Sequence, residues 1–334
     1  MYSRHGWLAR PSAFLLCLVC AVGVAIVLIE ALRRDSGSRL AQRAMVSVAV
    51  AERAAVPFPR TLIDASGATL VIPHKPRRIV SQTLGTDEIL LAICDPQRIV
   101  ALSALVDDPY FSNATEQARQ VTGRTTAGAE QILRLQPDII FVASYSKAEL
   151  IELLSAAHAP VFRFGYFDHI EDIKLNIRTL GYIVGEDEKA EALVQQMDRA
   201  MARAHASIPP DAPSVHVMLY ERAGYTGGAH TTFDDMVRAV GATNVAAAHG
   251  MRGVRKISNE QLLQWNPEVI VTSANRDTLE AARRQLLHDP AVAVTAAGKH
   301  QRIIVIPNRI FSTVTHHITQ GIEQLARELY HPES

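Results

Sequence analysis

Glu130–Val142 (EQILRLQPDIIFV) returns as Glu260–Thr272 (EQLLQWNPEVIVT), so one segment occurs twice at a constant offset of 130 positions. Apolar residues at helical spacing open each copy and predict a short helix, which ends at Pro137 or Pro267. The apolar run that follows predicts a strand covered on both faces, as in a parallel sheet. Such a repeat fits two similar α/β lobes better than a solenoid, which needs three or more short units.

A second, weaker repeat pairs Asp87–Cys94 with Asp234–Gly241 at an offset of 147. Each copy is predicted to follow a strand and to open a helix, and the different offset means that the loops differ in length. We interpret the acid pairs at the two helix starts as helix caps. Cys94 takes the place of Gly241, where a small residue suffices, so its thiol is expected to be buried and unreactive.

Composition narrows the class of protein. The 334 residues leave room for about two domains. The 34 basic residues balance 34 acidic residues, so net charge predicts no nucleic-acid partner. The hydrophobic fraction of 48% predicts a globular chain with a sizeable core, and three cysteines exclude a disulfide scaffold. The chain carries no Gly-x-Ser-x-Gly, Walker or His-Glu-x-x-His motif, so we do not predict an enzyme.

The N-terminus is predicted to be an export signal or a membrane anchor within residues 1–35. Ala13–Ile29 is unbroken by charge and would span about 26 Å as a helix. We favour an uncleaved transmembrane helix over a cleaved signal peptide or a lipoprotein, because no good cleavage site follows the run. The arginines at positions 33 and 34 argue against export, since positive charge tends to remain cytoplasmic. Residues 36–59 are predicted to be a linker.

A helical segment is predicted to join the two lobes. In Asp168–Ser207 apolar residues recur at helical spacing, and Gly181 and Gly185 interrupt the pattern. We therefore predict one long helix, a break and a second helix. A helical connection is stiffer than extended strands, which predicts that the two lobes close toward each other by only a small movement. The predicted boundaries are residues 60–167 for the N-terminal lobe, 168–208 for the connecting helix and 209–334 for the C-terminal lobe.

The motifs, taken in order, carry a resemblance to a known family. Thr61–Pro73, Pro76–Ser81, Glu130–Ile140 and Gly241–Val245 resemble segments of the substrate-binding proteins of ABC importers for iron-siderophore complexes, haem and cobalamin. The resemblance covers nearly all of the body that follows the linker. It implies two α/β lobes joined by a helical backbone, with the ligand in the cleft between them. It also implies export to the periplasm or the extracytoplasmic face, with ABC transporter permease subunits as partners.

The resemblance implies two ligand contacts in the first lobe. Arg124 matches an arginine that hydroxamate-siderophore binders use, and Tyr145 follows the next strand, where those proteins place a tyrosine. A guanidinium and a phenol suit the oxygen-rich faces of ferric siderophores. The alternative is that Arg124 pairs with a neighbouring acid and that Tyr145 only borders the cleft.

Candidates in the second lobe follow from position. Ligands of open α/β sheets bind beyond the carboxyl ends of the strands. This rule selects one tyrosine that ends the predicted strand of residues 215–219 and three residues of the loops that follow. These are Tyr220, Tyr225, Arg252 and Arg255. The last three are equally well interpreted as solvated surface residues.

Glu130 and Glu260 occupy equivalent positions at the starts of the repeated helices. The resemblance implies that they dock onto arginines of the permease subunits and fix the orientation of the complex. The alternative is structural, because the helix dipole stabilises an acid in the first turn. Ser258 and Gln261 also form a predicted capping box at the second of these helices.

The histidines are not predicted to bind a bare metal ion. His316 and His317 are adjacent and do not face one ion, and no pair among these, His169, His230 and His249 has the i, i+4 spacing of a zinc helix. We expect no resident metal or cofactor. The predicted ligand is a ferric siderophore or a similar iron complex. The alternatives are a cobalamin- or haem-binding protein of the same fold, and a membrane-anchored sensor with the same lobes.

Overall fold

The computed structural model describes residues 57–126 and 128–331. The predicted N-terminal helix within residues 1–35 and the linker up to residue 56 lie outside these ranges. Within them, no helix combines the length and the apolar character needed to cross a membrane.

The first lobe contains a hairpin and a parallel sheet. Strands β1 (Arg60–Ile63) and β2 (Thr69–Ile72) pair antiparallel ahead of the sheet. Five further strands form the sheet in the order β5-β4-β3-β6-β7, and every neighbouring pair is parallel. They are β3 (Ile79–Ser81), β4 (Ile99–Ser103), β5 (Arg124–Thr125), β6 (Ile139–Ala143) and β7 (Val161–Phe164).

Helices connect these strands on both faces of the sheet, as parallel pairing requires. They are α1 (Leu84–Ile93), α2 (Thr115–Ala118), α3 (Ala129–Arg134) and α4 (Ala148–Ala156).

Two packed helices, α5 (Ile170–Val184) and α6 (Asp187–Ala206), lie between the two sheets in the chain. Gly185 ends α5 in the left-handed conformation, with φ of 69°, which glycine adopts at little cost. The break predicted at Gly181 was wrong, because this residue lies inside α5. A Cβ atom at Gly181 would lie 2.3 Å from Cβ of Ala190, so the missing side chain allows α5 and α6 to approach closely.

The second lobe repeats the architecture of the first. Its parallel sheet has the order β10-β8-β12-β13, and a separate antiparallel ribbon pairs β9 with β11. The strands are β8 (His216–Leu219), β9 (Tyr225–Gly227), β10 (Thr243–Asn244), β11 (Val254–Lys256), β12 (Val269–Ala274) and β13 (Ile303–Pro307). The helices are α7 (Thr232–Ala239), α8 (Val245–Ala248), α9 (Asn259–Trp265), α10 (Leu279–Leu287), α11 (Pro290–Ala293), α12 (Ala296–Lys299), α13 (Asn308–Phe311) and α14 (Ile318–Tyr330).

The 130-residue repeat corresponds to one helix–strand unit in each lobe. Helix α3 and strand β6 begin 130 positions before helix α9 and strand β12. Strand β6 lies between β3 and β7, and β12 lies between β8 and β13, so each copy supplies an interior strand of its own parallel sheet. The predicted α/β class with parallel sheets is confirmed.

The two helices of the weaker repeat begin in the same way and end in different backbone conformations. Thr83 and Thr231 cap α1 and α7 by accepting a hydrogen bond from the N–H three residues later. After α7, Gly241 is left-handed with φ of 68°, whereas Cys94 at the end of α1 has φ of −104°. The Cys94 thiol is buried, as predicted, and burial raises its pKa.

A single apolar core runs through both lobes. It extends from Phe164 of the first sheet through Ile177 of α5 and Met197 of α6 to Leu219 of the second sheet and Leu325 of α14. Smaller clusters cover the outer face of each sheet. The two sheets are therefore held against the same helical layer, which positions the carboxyl ends of their strands.

Candidate functional site

A cavity of about 430 Å³ lies between the lobes. Residues after β3, β4 and β6 line its first wall, and the segment after β13 lines the second. The first wall includes Gln82, Glu88, Ser103 and Tyr145, and the second is formed by Asn308 and residues 312–315. Both walls come from carboxyl ends of parallel strands, where ligands of α/β sheets bind.

A larger cavity of about 930 Å³ lies on the second lobe. It is lined by residues that follow β8, β11 and β12 and by one face of α10. Asn308 lines both cavities, so the two spaces adjoin. Together they exceed the upper end of the roughly 300–1,000 Å³ typical of small-molecule sites.

Hydroxyl groups fix the loop between β3 and α1 that forms part of the cleft wall. The hydroxyls of Ser81 and Thr86 lie 2.6 Å apart, and that of Thr83 lies 2.8 Å from Thr86. Nε2 of Gln82 in this loop is buried and meets no acceptor within the described part of the chain. Because a buried donor without an acceptor is costly, Gln82 is a candidate for a hydrogen bond to a ligand.

The interpretation of the acid pairs as helix caps was wrong. Asp87 is fully buried and accepts hydrogen bonds from the backbone N–H and the hydroxyl of Ser103 at the end of β4. At the equivalent place, Asp234 accepts from Nδ2 of Asn244 at the end of β10. These carboxylates tie a helix to the next strand, while Thr83 and Thr231 supply the caps. Burial raises the pKa of Asp87 to about 7.

Glu88 is a second buried carboxylate and forms part of the cavity wall. Its Oε1 accepts from the backbone N–H of Asn113 at 2.7 Å and from Nδ2 of the same residue at 3.2 Å. Burial is the main cause of its raised pKa. The sequence shows only an acid near the start of a helix, so neither the burial of Glu88 nor its place in the cavity wall was predicted.

Arg124 lies at the start of β5 and pairs with Asp107 through two hydrogen bonds of 2.7 and 2.8 Å. Its remaining donors reach the carbonyl oxygens of Ala118, Val121 and Gly123. All five N–H groups of the guanidinium are thus engaged within the lobe. This is the pairing with a neighbouring acid that the sequence left open, and a ligand contact by Arg124 stays a prediction.

Two predicted tyrosines line the cavities. Tyr145 is 62% exposed, lines the cavity between the lobes and packs against Phe167 with ring centroids 5.3 Å apart. Tyr220 directly follows β8 and lines the larger cavity. Burial raises the pKa of Tyr220. Their placement agrees with the strand-end rule, and ligand contact itself remains a prediction.

Tyr225 and Arg255 lie on the β9–β11 ribbon, and Arg252 lies two residues before β11. Tyr225 pairs with Lys256 in register, and Nε of Arg255 donates to the carbonyl of Arg252 at 3.2 Å. None of the three lines either cavity. Their exposure agrees with the alternative interpretation, in which they are solvated surface residues.

Glu130 and Glu260 occupy the first turns of α3 and α9. Glu130 is exposed and pairs with Arg134 one turn later at 2.6 Å. Glu260 is exposed too, and the Ser258 hydroxyl lowers its pKa. The predicted capping box of Ser258 and Gln261 is present. Docking onto a permease stays a prediction.

The histidines within the described residues do not form a metal centre of three or more side chains. Among the described residues, no group of three or more His, Cys, Asp or Glu side chains is arranged to hold an ion. Burial lowers the pKa of His316 to about 3 and that of His317 to about 4, so both rings are neutral at pH 7. His169 and His230, which are 61 residues apart, are in contact, and no spacing rule finds this pair.

Comparison with known proteins agrees with this geometry. Residues 79–310 match the family described as periplasmic binding protein. A cobalamin-binding protein of Halobacterium salinarum is 25% identical over 277 residues, which cover 81% of this chain and 73% of that protein. The uncharacterized ABC transporter substrate-binding lipoprotein YvrC of Bacillus subtilis is 23% identical over 281 residues, covering 82% and 86%.

A solved structure shows the same fold. The periplasmic haem-binding protein RhuT from Roseiflexus, in its apo form, matches with a TM-score of 0.64 at 23% identity, over 76% of this chain and 98% of that chain. The family match spans more than two thirds of the chain and includes both copies of the repeat. The chain therefore belongs to the periplasmic binding protein family.

Proposed function

We propose that the chain is the extracytoplasmic substrate-binding component of an ABC importer and that it holds a metal chelate between its lobes. The observation that carries this proposal is the cavity whose two walls come from the carboxyl ends of two separate parallel sheets. A ligand there would contact both lobes at once and hold them in one arrangement. One relative is named as an ABC transporter substrate-binding lipoprotein, which supports the same assignment.

The cavity walls favour a ligand with an uncharged, oxygen- and amide-rich surface. The cavity between the lobes exposes more apolar than polar surface, and hydroxyl and amide side chains supply most polar groups of the two cavities. Among the described residues that line them, Lys256 is the one cation, against the carboxylates of Glu88, Glu221 and Asp289. Glu221 in the larger cavity accepts hydrogen bonds from the N–H and the hydroxyl of Ser273 and is thereby fixed. A strongly anionic catecholate would find few cations here. A ferric hydroxamate siderophore fits this chemistry.

Cobalamin is the second candidate. It presents peripheral amides to the same hydroxyl and amide groups, and a relative at 25% identity is named as a cobalamin-binding protein. Haem is the third, with the Tyr145 phenol as an axial ligand for its iron. We propose that Glu130 and Glu260 dock the loaded protein onto the permease and that the N-terminal apolar helix anchors it in the membrane. A sensor with the same lobes would bind the ligand without this docking.

The test is a ligand titration of the full chain in mild detergent. A ferric trihydroxamate, cyanocobalamin and haemin are added separately, and intrinsic fluorescence and visible absorbance are recorded. We expect one of them to bind at a one-to-one ratio in the micromolar range or tighter. Tyr145→Ala and Gln82→Ala should each weaken that ligand by about tenfold, which is about 1.4 kcal/mol.

Leu153→Ala is the control, because Leu153 is an exposed side chain of α4 in the same lobe and lines neither cavity. Its ligand affinity should equal that of the unchanged chain. Failure of all three chelates to bind would reject the proposed ligand class. Equal losses in the Leu153 and Tyr145 variants would reject the assigned cavity.

A further inference from the structure

A histidine at the start of the connecting helices is in contact with a histidine of the second lobe. His169 follows β7 and directly precedes α5, whereas His230 lies between β9 and α7. Nε2 of His169 lies 3.3 Å from Nδ1 of His230, the ring centroids are 5.4 Å apart, and the ring planes meet at 74°. Neither histidine lines the two cavities, so the pair is separate from the proposed ligand site.

The distance between Nε2 of His169 and Nδ1 of His230 equals the distance between two ligand atoms on one tetrahedral metal ion. Zinc–nitrogen bonds of about 2.0–2.1 Å at a tetrahedral angle place the two nitrogens about 3.3–3.4 Å apart. A hydrogen bond between the rings gives a similar distance, so the spacing alone does not decide between the two.

The second nitrogen of His169 has the partner that metal-binding histidines have. Nδ1 of His169 lies 3.4 Å from Oδ2 of Asp235. A carboxylate at the outer nitrogen of an imidazole fixes its orientation and raises its basicity as a metal ligand. Asp235 is itself held, because it accepts a 2.8 Å hydrogen bond from the backbone N–H of Ile170. Asp235 therefore supports the position in which Nε2 of His169 faces His230.

The backbone at His230 adds an independent observation. Its φ is +61°, in the left-handed region that a non-glycine residue adopts at a cost in free energy. The next residue, Thr231, caps α7 through its hydroxyl, so the chain is constrained directly after the histidine. The His230 side chain is exposed and that of His169 is 30% exposed, so an ion reaches both rings from solvent.

We propose that His169 and His230 bind one divalent transition-metal ion of the kind that imidazole prefers, such as Zn²⁺, Ni²⁺ or Cu²⁺. The protein supplies two ligands and water supplies the others. Asp235 is a positioning residue that acts through His169. Because His169 directly precedes α5 and His230 belongs to the second lobe, the bound ion links the start of the connecting helices to the second lobe.

The experiment measures ion binding without any chelate. The full chain is purified in mild detergent without a polyhistidine tag and dialysed against Zn²⁺ or Ni²⁺. We expect one tightly held ion per chain, with affinity at least tenfold lower in His169→Ala and in His230→Ala. Asp235→Asn should weaken binding less, because both ligating rings remain.

The matched control is His249→Ala, which removes a histidine of the second lobe that stacks on Trp265 with ring centroids 4.9 Å apart. This variant should bind the ion as the unchanged chain does. Circular dichroism checks that every variant is folded. The proposal is overturned if the folded His169 and His230 variants bind the ion as tightly as the His249 variant, or if the unchanged chain binds none.

Discussion

The hydroxyl of Thr315 in the second lobe donates a 2.7 Å hydrogen bond to Oε2 of Glu88 in the first. The other oxygen of Glu88 accepts from Asn113, and Nδ2 of Asn113 donates in turn to the carbonyl of Arg309 in the second lobe at 2.6 Å. Glu88 and Thr315 are both buried and both line the cavity between the lobes. One carboxylate therefore takes part in two polar links across the candidate ligand site.

Thr315→Val should destabilise the protein and loosen the contact between the lobes. The substitution keeps the shape of the side chain and leaves Oε2 of Glu88 without this donor, which costs about 1–3 kcal/mol for a buried group. Urea unfolding measures the loss of free energy, and hydrogen exchange of residues 308–315 reports the loosening.

Thr278→Val is the control for this prediction, since the Thr278 hydroxyl is exposed and bonds only within the second lobe, to the carbonyl of Asn275. Its unfolding free energy should change by no more than about 0.5 kcal/mol. Equal losses in the two variants would show that the hydroxyl of Thr315 does not stabilise the junction.

The buried Asp87 should make the protein less stable as pH rises from about 4 to about 7. Its pKa is raised from 3.8 to about 7, so in this window the folded state retains a proton that the unfolded state has released. The unfolding free energy then falls with pH, at a slope on the order of 1.4 kcal/mol per pH unit at most. The raised pKa of Glu88 contributes in the same direction.

Asp87→Asn should flatten this pH dependence, because the amide does not titrate and still offers an oxygen to Ser103. Chemical unfolding at pH 4, 5, 6 and 7 measures the slope in both proteins. Glu152→Gln, a change of the same type at an exposed position, should leave the slope as it is. A slope that persists in the Asp87 variant would mean that other groups govern the pH dependence.

Removing Glu130 and Glu260 together should abolish uptake and leave ligand affinity unchanged. Both carboxylates are exposed on equivalent first turns, one per lobe, and neither lines a cavity. Whole-cell uptake of the identified ligand and its affinity for the purified variant are measured side by side.

The control for the docking prediction replaces Glu149 and Glu280 by alanine. These exposed acids lie in the first turns of α4 and α10, so they have the same favourable interaction with a helix dipole. The variant that lacks Glu149 and Glu280 should lose about as little stability as the variant that lacks Glu130 and Glu260, and it should retain uptake. Unimpaired uptake without Glu130 and Glu260 would favour the sensor hypothesis or another docking surface.

The repeat predicted the fold well because its information is local. Helical spacing, a proline and an apolar run define each unit within thirteen residues, and the structure has α3 with β6 and α9 with β12 at the expected offset. The rule that ligands bind beyond strand ends needs only the strand order. It selected Tyr220, which lines a cavity, and also Tyr225, Arg252 and Arg255, which do not. The resemblance added Tyr145, which lines the other cavity.

The remaining features depend on which side chains meet in three dimensions. From the sequence, Arg124 is expected to be an exposed cation. In the structure, the Asp107 carboxylate and carbonyl oxygens between Ala118 and Gly123 accept hydrogen bonds from all its N–H groups. An acid near the start of a helix is commonly interpreted as a cap, so the burial of Asp87 and Glu88 is visible only once the strands pack beside α1. Gly181 likewise resembles a helix breaker in the sequence and is instead a packing contact.

Gly181→Ala should destabilise the helical connection even though alanine favours helices. The new Cβ would lie 2.3 Å from Cβ of Ala190, and relieving that overlap costs about 1–3 kcal/mol, against about 1 kcal/mol gained in helix propensity. Ala190→Gly alone should also destabilise, by about 1 kcal/mol, because it weakens α6. In the double variant the glycine at position 190 leaves room for the alanine at position 181, so the combined loss measured by urea unfolding should be smaller than the sum of the single losses. Losses that add to within about 0.5 kcal/mol would contradict a direct contact between these two positions.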